Sequence, residues 1–194
     1  MKESSFFALA FRQKYIERWQ LMRSTIPDSL STHVSEVAML THALAELGNR
    51  MCSKHHDVGR AVLLALYHDL PEVLTGDLPT PVKYFSAGTK ETYSALEAHA
   101  VAELVSKLPD KLQAAFADLL APQAEAEGDL LVLVKAADKL AALIKCMEEE
   151  KSGNTEFLRA KAETERALTA MQLPEVSLFC ELFLPAFAKT IDEL

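Results

Sequence analysis

The segment DLLVLVKAADKLAALIKCMEEE, residues 129–150, has the apolar spacing of a long amphipathic helix. Residues three or four positions apart share one face of such a helix. In this segment that face comprises Leu131, Val134, Asp138 and Ala141. An aspartate therefore falls on the face that should point into the protein interior.

The whole chain favours helix in the same way. It contains 28 Ala and 30 Leu among 194 residues, against 11 Val, 4 Ile and 11 Thr. Ala and Leu lose little conformational freedom in a helix, whereas β-branched residues lose more. We predict one all-α domain spanning residues 1–194, and the same balance disfavours a β-sandwich or a parallel-sheet fold.

Turn and cap residues divide the chain into seven to nine helices. Gly48-Asn49 should stop the second helix, Asp57 should cap the third, and Pro185 should bend or break the last. Proline and glycine residues should make the stretch 70–88 irregular. The predicted helices cover about residues 4–15, 32–47, 57–69, 90–107, 109–120, 129–150, 154–171 and 175–192.

Charge and composition exclude several function classes. The net charge of −8 argues against binding to DNA or RNA polymers, which requires a basic face. A small phosphorylated ligand remains compatible, because it needs only one or two local cations or a metal. No stretch approaches the ~18 apolar residues of a membrane span. The three cysteines are widely spaced, as expected for reduced thiols in a cytoplasmic protein.

Ionisable side chains also occupy the interior faces of two other predicted helices. In the second helix, His33 shares its face with Val37 and other apolar residues. In the third, His68 follows the face of Leu64, and Asp69 lies one residue around the helix. A buried carboxylate without a partner costs several kcal/mol, so each of these groups needs a charge, hydrogen bonds or a metal.

One divalent cation bound by all these groups would remove their penalties together. The ligands of such a site would be His33, His68, Asp69 and Asp138. Imidazole and carboxylate ligands suit Mn, Fe, Co, Ni or Zn. Two structural alternatives stay open at this point: Lys135 could form an ion pair with Asp138, and a lone histidine on an apolar face is often a hydrogen-bonded core residue.

The assembled pattern, His33…His68-Asp69…Asp138, resembles the HD-domain metal-dependent phosphohydrolases. The run HDLPEVLTGDLPTPVKYF at 68–85, with Arg18-Trp19 and KAAD at 135–138, is similar to the bacterial HD-domain 5'-deoxynucleotidases. The resemblance extends over essentially the whole chain. It implies a cytoplasmic, homodimeric, all-α HD-domain bundle. Such an enzyme removes the 5'-phosphate from deoxyribonucleoside monophosphates with one divalent cation, which is cobalt, manganese or copper, while magnesium, zinc, iron and nickel stay open.

The resemblance also implies a role for each matching residue. The metal ligands would be His33, His68, Asp69 and Asp138. Glu72 would be the catalytic carboxylate, presented by a new turn because Pro71 should end the preceding helix near Asp69. Arg18 would hold the phosphate and Trp19 would exclude a 2'-hydroxyl. Asp77, together with the ligand His33, would help to place the substrate.

Without the resemblance, sequence physics alone favours a surface position for Arg18 and a solvent-facing Lys83. Two other functions stay open. The first is an HD phosphohydrolase acting on another nucleotide, although the chain has Glu72-Val73 where (p)ppGpp hydrolases share a Glu-Asp pair, and it lacks the Gly-Tyr-Pro triplet of the cyclic-nucleotide phosphodiesterases. The second is a non-catalytic helical module that uses the metal as a clasp, which would have no need of Glu72, Arg18 or Trp19.

Overall fold

The computed structural model describes residues 3–83 and 85–194, and over these residues it contains helices and no β-strand. The α-helices are α1 (Phe6–Ala10), α2 (Leu30–Met51), α3 (Val58–Tyr67), α4 (Glu72–Thr75), α5 (Thr80–Lys83), α6 (Ala87–Ser106), α7 (Asp110–Leu120), α8 (Ala124–Lys151), α9 (Leu158–Ala170) and α10 (Pro174–Leu182). Short 3-10 segments cover Phe11–Tyr15, Thr155–Phe157, Leu184–Ala188 and Ile191–Glu193. The predicted all-α class is confirmed. In the part of the chain that is described, eight of the helices have five or more residues, and α4 and α5 have four each.

Tyr84, which belongs to the run at 68–85, lies outside the described residues, as do Met1 and Lys2. Within residues 3–83 and 85–194, no helix combines the length and the apolar character that crossing a membrane requires.

Helix α2 occupies the centre of the fold, where it packs against α3, α8 and α10. Leu44 on α2, Leu64 on α3 and Leu140 on α8 are buried in one apolar cluster. Alanines on α3 and α8 belong to the same cluster, and small side chains let helix axes approach closely. The three helices predicted to carry His33, His68-Asp69 and Asp138 are therefore direct neighbours.

A second apolar cluster fixes the chain just after α3. Leu70 is buried there with Phe6 of α1 and Leu104 of α6. The residue that follows the adjacent pair His68-Asp69 is thus anchored in the interior, so the turn that leads to Glu72 has a defined course.

Several predicted helix ends are confirmed. The Asp57 side chain caps α3 by accepting a hydrogen bond from the Arg60 backbone N–H at 2.9 Å. Helix α3 ends at Tyr67, and Glu72 opens the separate turn α4 directly after Pro71. Pro185 lies in a 3-10 segment beyond the end of α10, so the last predicted helix is broken there. The predicted irregular stretch 70–88 is wrong in part, because it contains α4, α5 and the first residues of α6.

The predicted stop of α2 at Gly48-Asn49 is wrong. Helix α2 continues to Met51, and Gly48 is buried against the His56 ring. A Cβ atom at Gly48 would lie 3.0 Å from His56 Cδ2. Asn49 donates to the His56 carbonyl at 2.9 Å and accepts from the His56 N–H at 2.7 Å. Both residues serve to dock the following loop on the helix rather than to end it.

Replacing Leu140 by Ala should lower the free energy of unfolding by about 2–5 kcal/mol, because it leaves a cavity in the cluster shared by α2, α3 and α8. Urea denaturation measures this loss. Leu96, which is 46% exposed on α6, provides a matched control, and Leu96→Ala should cost about 0.5 kcal/mol or less. Equal losses in the two variants would show that Leu140 is not a core residue.

Candidate metal centre

Three helices bring the four predicted metal ligands together. His33 lies in the first turn of α2, His68 and Asp69 follow the last turn of α3, and Asp138 lies in the middle of α8. His33 Nε2 is 3.1 Å from Asp138 Oδ1 and 3.6 Å from Asp69 Oδ2. His68 Nε2 is 3.0 Å from Asp69 Oδ2. Ligand atoms of His33, His68 and Asp138 all lie within 4.8 Å of one another, which leaves room for one ion between them.

The donor atoms of this cluster fit a divalent cation. Among residues 3–83 and 85–194, the buried Nε2 atoms of His33 and His68 have no partner in hydrogen-bond geometry, although carboxylate oxygens lie nearby. His68 Nδ1 is 2.7 Å from the Ala65 carbonyl oxygen, so in the neutral ring Nδ1 donates and Nε2 directs its lone pair at the cluster. Buried polar atoms without partners are rare, and a metal between them would satisfy both nitrogens.

Protons take up the negative charge of this cluster when no metal is bound. Burial lowers the pKa of His68, but the charge of the adjacent Asp69 carboxylate outweighs that effect and raises the pKa to about 9. Burial raises the pKa of Asp138, yet the close approach of the His33 imidazole dominates, and the pKa lies below its ordinary value. An imidazolium therefore stands where a metal would supply positive charge. Metal binding must displace its proton, so affinity should fall in acid.

Arg18 lies at the edge of the cluster with its side chain largely buried. Its Nη1 atom is 3.6 Å from Asp69 Oδ2, and its Nε atom is 3.5 Å from Asp28 Oδ2. The surface position favoured by sequence physics alone is therefore wrong. Burial lowers the pKa of Arg18, but the charges of Asp138, Asp69 and other nearby carboxylates raise it by more. The net pKa lies above its ordinary value, so the guanidinium stays charged.

Trp19 is held beside Arg18 in a backbone conformation that residues other than glycine rarely adopt. Its φ angle of 59° lies in the left-handed region, which is costly for a bulky residue and persists only where the surroundings impose it. The indole Nε1 donates to Asp28 Oδ2 at 3.2 Å, and the ring packs on Phe157 with 5.2 Å between centroids. With these contacts in place, Trp19 is partly buried and partly exposed.

Asp28 is a site residue that sequence reasoning missed. It orients both Arg18 and Trp19 through its side chain, and its carbonyl accepts from the Arg18 N–H at 2.9 Å. The contact depends on the segment folding back on itself through a bridge between Glu17 and Ser29. No periodic pattern in the sequence signals that pairing.

Glu72 is a buried carboxyl group with an unpartnered oxygen. It is 8% exposed, and within the described part of the chain its buried Oε2 atom has no hydrogen-bond partner. Burial, reinforced by the charges of Asp69 and Asp77, raises the pKa of Glu72 to about 9. Burial also raises the pKa of Asp77, whose charge interacts with Arg18 and Asp69. Glu72 and Asp77 therefore lie in the electrostatic field of the metal cluster.

The structure shows the surroundings of two lysines, Lys83 and Lys135, whose roles the sequence left open. Lys83 is not solvent-facing as expected: its side chain is 28% exposed, pairs with Glu97 at 3.1 Å and lies 4.2 Å above the Tyr93 ring. Lys135 is exposed, and the Asp138 carboxylate faces His33. The ion pair with Lys135 therefore does not explain the aspartate on this interior face.

Residues 5–187 match the family described as 5'-deoxynucleotidase YfbR-like. This chain belongs to that family. The 5'-deoxynucleotidase YfbR of Shigella boydii serotype 18 is 45% identical over 194 residues, which cover 100% of this chain and 97% of the relative. The predicted family and the hydrolase class are confirmed.

Solved structures of similar fold include two HD-domain enzymes. An HD-domain phosphohydrolase from Listeria innocua has a TM-score of 0.79 at 21% identity and covers 94% of this chain and 88% of its own. The HD phosphohydrolase DatZ of cyanophage S-2L, solved with dA and one catalytic zinc ion, has a TM-score of 0.67 at 22% identity, with 94% and 96% coverage. At these identities the likeness concerns the fold, and it confirms the predicted HD-domain architecture.

Replacing Glu72 by Gln should stabilise the metal-free protein, and the gain should grow as the pH rises. The pKa of Glu72 is about 9 in the folded protein against an ordinary value of 4.5. Between these values the folded state keeps a proton that the unfolded chain has released, so the free energy of unfolding falls with rising pH. Gln is neutral and removes that loss.

Thermal melts of chelator-treated protein at about pH 5 and about pH 8 measure this effect. The difference in Tm between Glu72→Gln and the parent should be larger at the higher pH. Glu163, an exposed residue of α9, gives the control variant Glu163→Gln. A Tm difference that does not change with pH would contradict the raised pKa of Glu72.

Proposed function

We propose that this chain is a metal-dependent 5'-deoxynucleotidase. It hydrolyses deoxyribonucleoside 5'-monophosphates to deoxyribonucleosides and phosphate, and it selects against ribonucleotides. The observation that carries the proposal is the convergence of two imidazoles and two carboxylates beside a buried arginine and an unpartnered glutamic acid. Identity of 45% to a 5'-deoxynucleotidase along the whole chain supports the same assignment.

His33, His68, Asp69 and Asp138 would hold the cation. When bound there, a divalent ion supplies positive charge that screens the phosphate and lowers the pKa of water. The family resemblance favours cobalt, manganese or copper, and the zinc in DatZ supports zinc as a further candidate. Ligands of this type also accept magnesium, iron and nickel, so the metal that the cell supplies decides the occupant.

Arg18 binds the phosphate in this proposal. Its planar guanidinium can donate two parallel hydrogen bonds to phosphate oxygens. Such a local cation matters because the chain carries a net charge of −8, which repels anions at a distance. A phosphate bound by Arg18 would lie close to the cation, because Arg18 Nη1 is 3.6 Å from Oδ2 of the proposed ligand Asp69.

Glu72 moves the proton. A carboxyl group with a pKa of about 9 is protonated at neutral pH, but positive charge held beside Asp69 lowers that value towards neutrality. In that range Glu72 Oε2, which has no other partner, accepts a proton from the attacking water. The protonated carboxyl group can then return the proton to the leaving 5'-oxygen.

Trp19 and Asp77 select and place the substrate. The indole, fixed by Asp28 and Phe157, forms a rigid wall against the sugar and leaves no space for a 2'-hydroxyl. Asp77 lies in a segment whose backbone carbonyl is 3.5 Å from Gln20 Nε2, next to the Arg18-Trp19 pair. His33 contributes to substrate placement as well as to metal binding.

We further propose that residues 1–194 form one HD domain and act as a homodimer in the cytoplasm. Phe7, Phe11 and Tyr15 are 50%, 70% and 67% exposed, and their proximity along the N-terminal helices supports a contact surface for a second copy.

The proposed activity is tested by phosphate release from dAMP, dGMP, dCMP, TMP and AMP with Mn, Co, Mg or Zn. The deoxyribonucleotides should be hydrolysed with at least one metal, and AMP should be hydrolysed much more slowly. An additional arm with dATP separates the alternative function. Activity on dATP with none on the monophosphates would favour an HD phosphohydrolase acting on another nucleotide.

Asp138→Ala should lose the bound metal and the activity, because it removes one ligand and leaves His33 facing no carboxylate on α8. Metal content after dialysis and phosphate release are the two measurements. Asp129 is an exposed aspartate on the same helix, and Asp129→Ala should keep both properties. Metal content at the parent level in Asp138→Ala would remove Asp138 from the ligand set.

Trp19→Ala should admit ribonucleotides. The ratio of kcat/KM for dAMP to that for AMP should fall by about ten-fold or more, because the wall against the 2'-hydroxyl is gone. Phe183→Ala, at an exposed aromatic residue just after α10, should leave that ratio unchanged. An unchanged ratio in Trp19→Ala would assign the discrimination to another group.

A further inference from the structure

Helix α8 also carries a fully buried carboxylate far from the metal cluster. Glu149 is fully buried, and it lies eleven residues after Asp138 along α8. At 1.5 Å per residue this is about 16 Å along the helix axis, so Glu149 is not a metal ligand. It forms a buried ion pair with Lys145 one turn earlier on the same helix.

Glu149 binds the backbone of a distant segment. The Thr25 N–H donates to both carboxylate oxygens at 3.0 and 2.9 Å, and the Ile26 N–H donates to Oε1 at 3.2 Å. The Thr25 hydroxyl donates to Oε2 at 2.6 Å. Lys145 Nζ donates to the Ile26 carbonyl oxygen.

Asn154 completes this arrangement. Its Nδ2 atom donates to Glu149 Oε2 at 2.8 Å and to the Arg23 carbonyl oxygen at 2.7 Å. Glu149, Lys145 and Asn154 are all buried, and together they bind the chain from Arg23 to Ile26. We refer to these three residues as the α8 clamp.

The clamped segment also carries the substrate-contacting pair of the proposed function. Residues 16–29 form a closed loop, since the Leu30 N–H donates to the Ile16 carbonyl and the Arg18 N–H to that of Asp28, both at 2.9 Å. Arg18 and Trp19 lie near the start of this loop. The α8 clamp binds its far side, so the loop is fixed both at its base and at the clamp.

Phe157 connects the clamp with the indole directly. This ring is fully buried, packs on Trp19 at 5.2 Å between centroids, and lies 5.7 Å from Lys145 Nζ. Trp19 must be held from outside, because its left-handed backbone is unfavourable for a bulky side chain. Such external contacts for Trp19 come from the backbone hydrogen bonds that close the loop, from the Asp28 side chain and from the clamp.

We propose that Glu149 is a positioning residue: through Thr25, Ile26 and Asn154 it fixes the loop 16–29 and thereby the position of the Trp19 ring beside Arg18. The consequence for substrate selection rests on the proposed function. A buried ion pair is a poor device for stability alone, because its desolvation offsets most of its attraction. A carboxylate that binds two backbone N–H groups, however, fixes a loop in one place.

The test uses full-length, metal-loaded protein and three variants, one in the clamp and two in the segment that it binds. Glu149→Gln places an amide N–H against the donors of Thr25 or Asn154 and leaves Lys145 without its counter-charge. Thr25→Val removes only the hydroxyl contact, and Thr25→Ser restores it. Thr25 is exposed, so its variants keep the interior intact if Glu149→Gln fails to fold.

Two readouts separate positioning from general stability. The ratio of kcat/KM for dAMP to that for AMP should fall about ten-fold in Glu149→Gln and less in Thr25→Val, with bound metal unchanged, because small displacements of a positioning group weaken selection. Trp19 is the only tryptophan of the chain, so its fluorescence quenching by acrylamide reports its position without reference to activity. Quenching should increase in the same order, and Thr25→Ser should match the parent.

Glu163→Gln, which breaks an exposed ion pair with Arg159, is the control and should change neither readout. If Glu149→Gln folds with parental quenching and selectivity, the proposal is overturned. If Glu149→Gln does not fold, equal quenching of Thr25→Val and Thr25→Ser overturns it. If the parent itself hydrolyses no deoxyribonucleotide, the proposed function fails, and quenching alone still decides whether the clamp positions Trp19.

Discussion

The structure depends on one electrostatic constraint: two carboxylates and two imidazoles must share a small space among three apolar helices. Asp69 and Asp138 repel each other in this space, so both carboxylates need positive charge nearby. In the metal-free protein the compensation comes from protonated imidazole, with the pKa of His68 raised to about 9. The close packing of α2, α3 and α8 and the affinity for a cation are therefore two results of the same arrangement.

The chemistry of the site follows from which charges face each carboxyl group. Burial raises the pKa of all three carboxyl groups, yet the net pKa is raised in Glu72 and lowered in Asp69 and Asp138. The difference arises because His33 and His68 face the aspartates, whereas Glu72 faces Asp69 and Asp77. Asp69 and Glu72, three residues apart in the chain, are thus suited to different tasks. Asp69 is suited to holding a cation and Glu72 to carrying a proton.

Sequence periodicity could predict the helices and the cluster because both depend on local spacing. A period of 3.6 residues places His33, His68 and Asp138 on interior faces, and the structure brings those faces together. It could not predict Asp28 or the α8 clamp, since Thr25 and Glu149 are separated by 124 residues and meet only through tertiary packing. The burial of Arg18 could not be predicted for the same reason. An isolated arginine in a loop is expected to be solvated unless its acidic partners across the fold are known.

The junction of α2 with the loop after it constrains how this chain can change. Gly48 and the His56 ring occupy adjoining space, and Asn49 binds the His56 backbone on both sides. Any larger residue at position 48 therefore requires that the His56 ring shift, or that a smaller side chain replace it. The effects of substitutions at these two positions are not additive, because the cost of a side chain at 48 depends on which residue occupies 56.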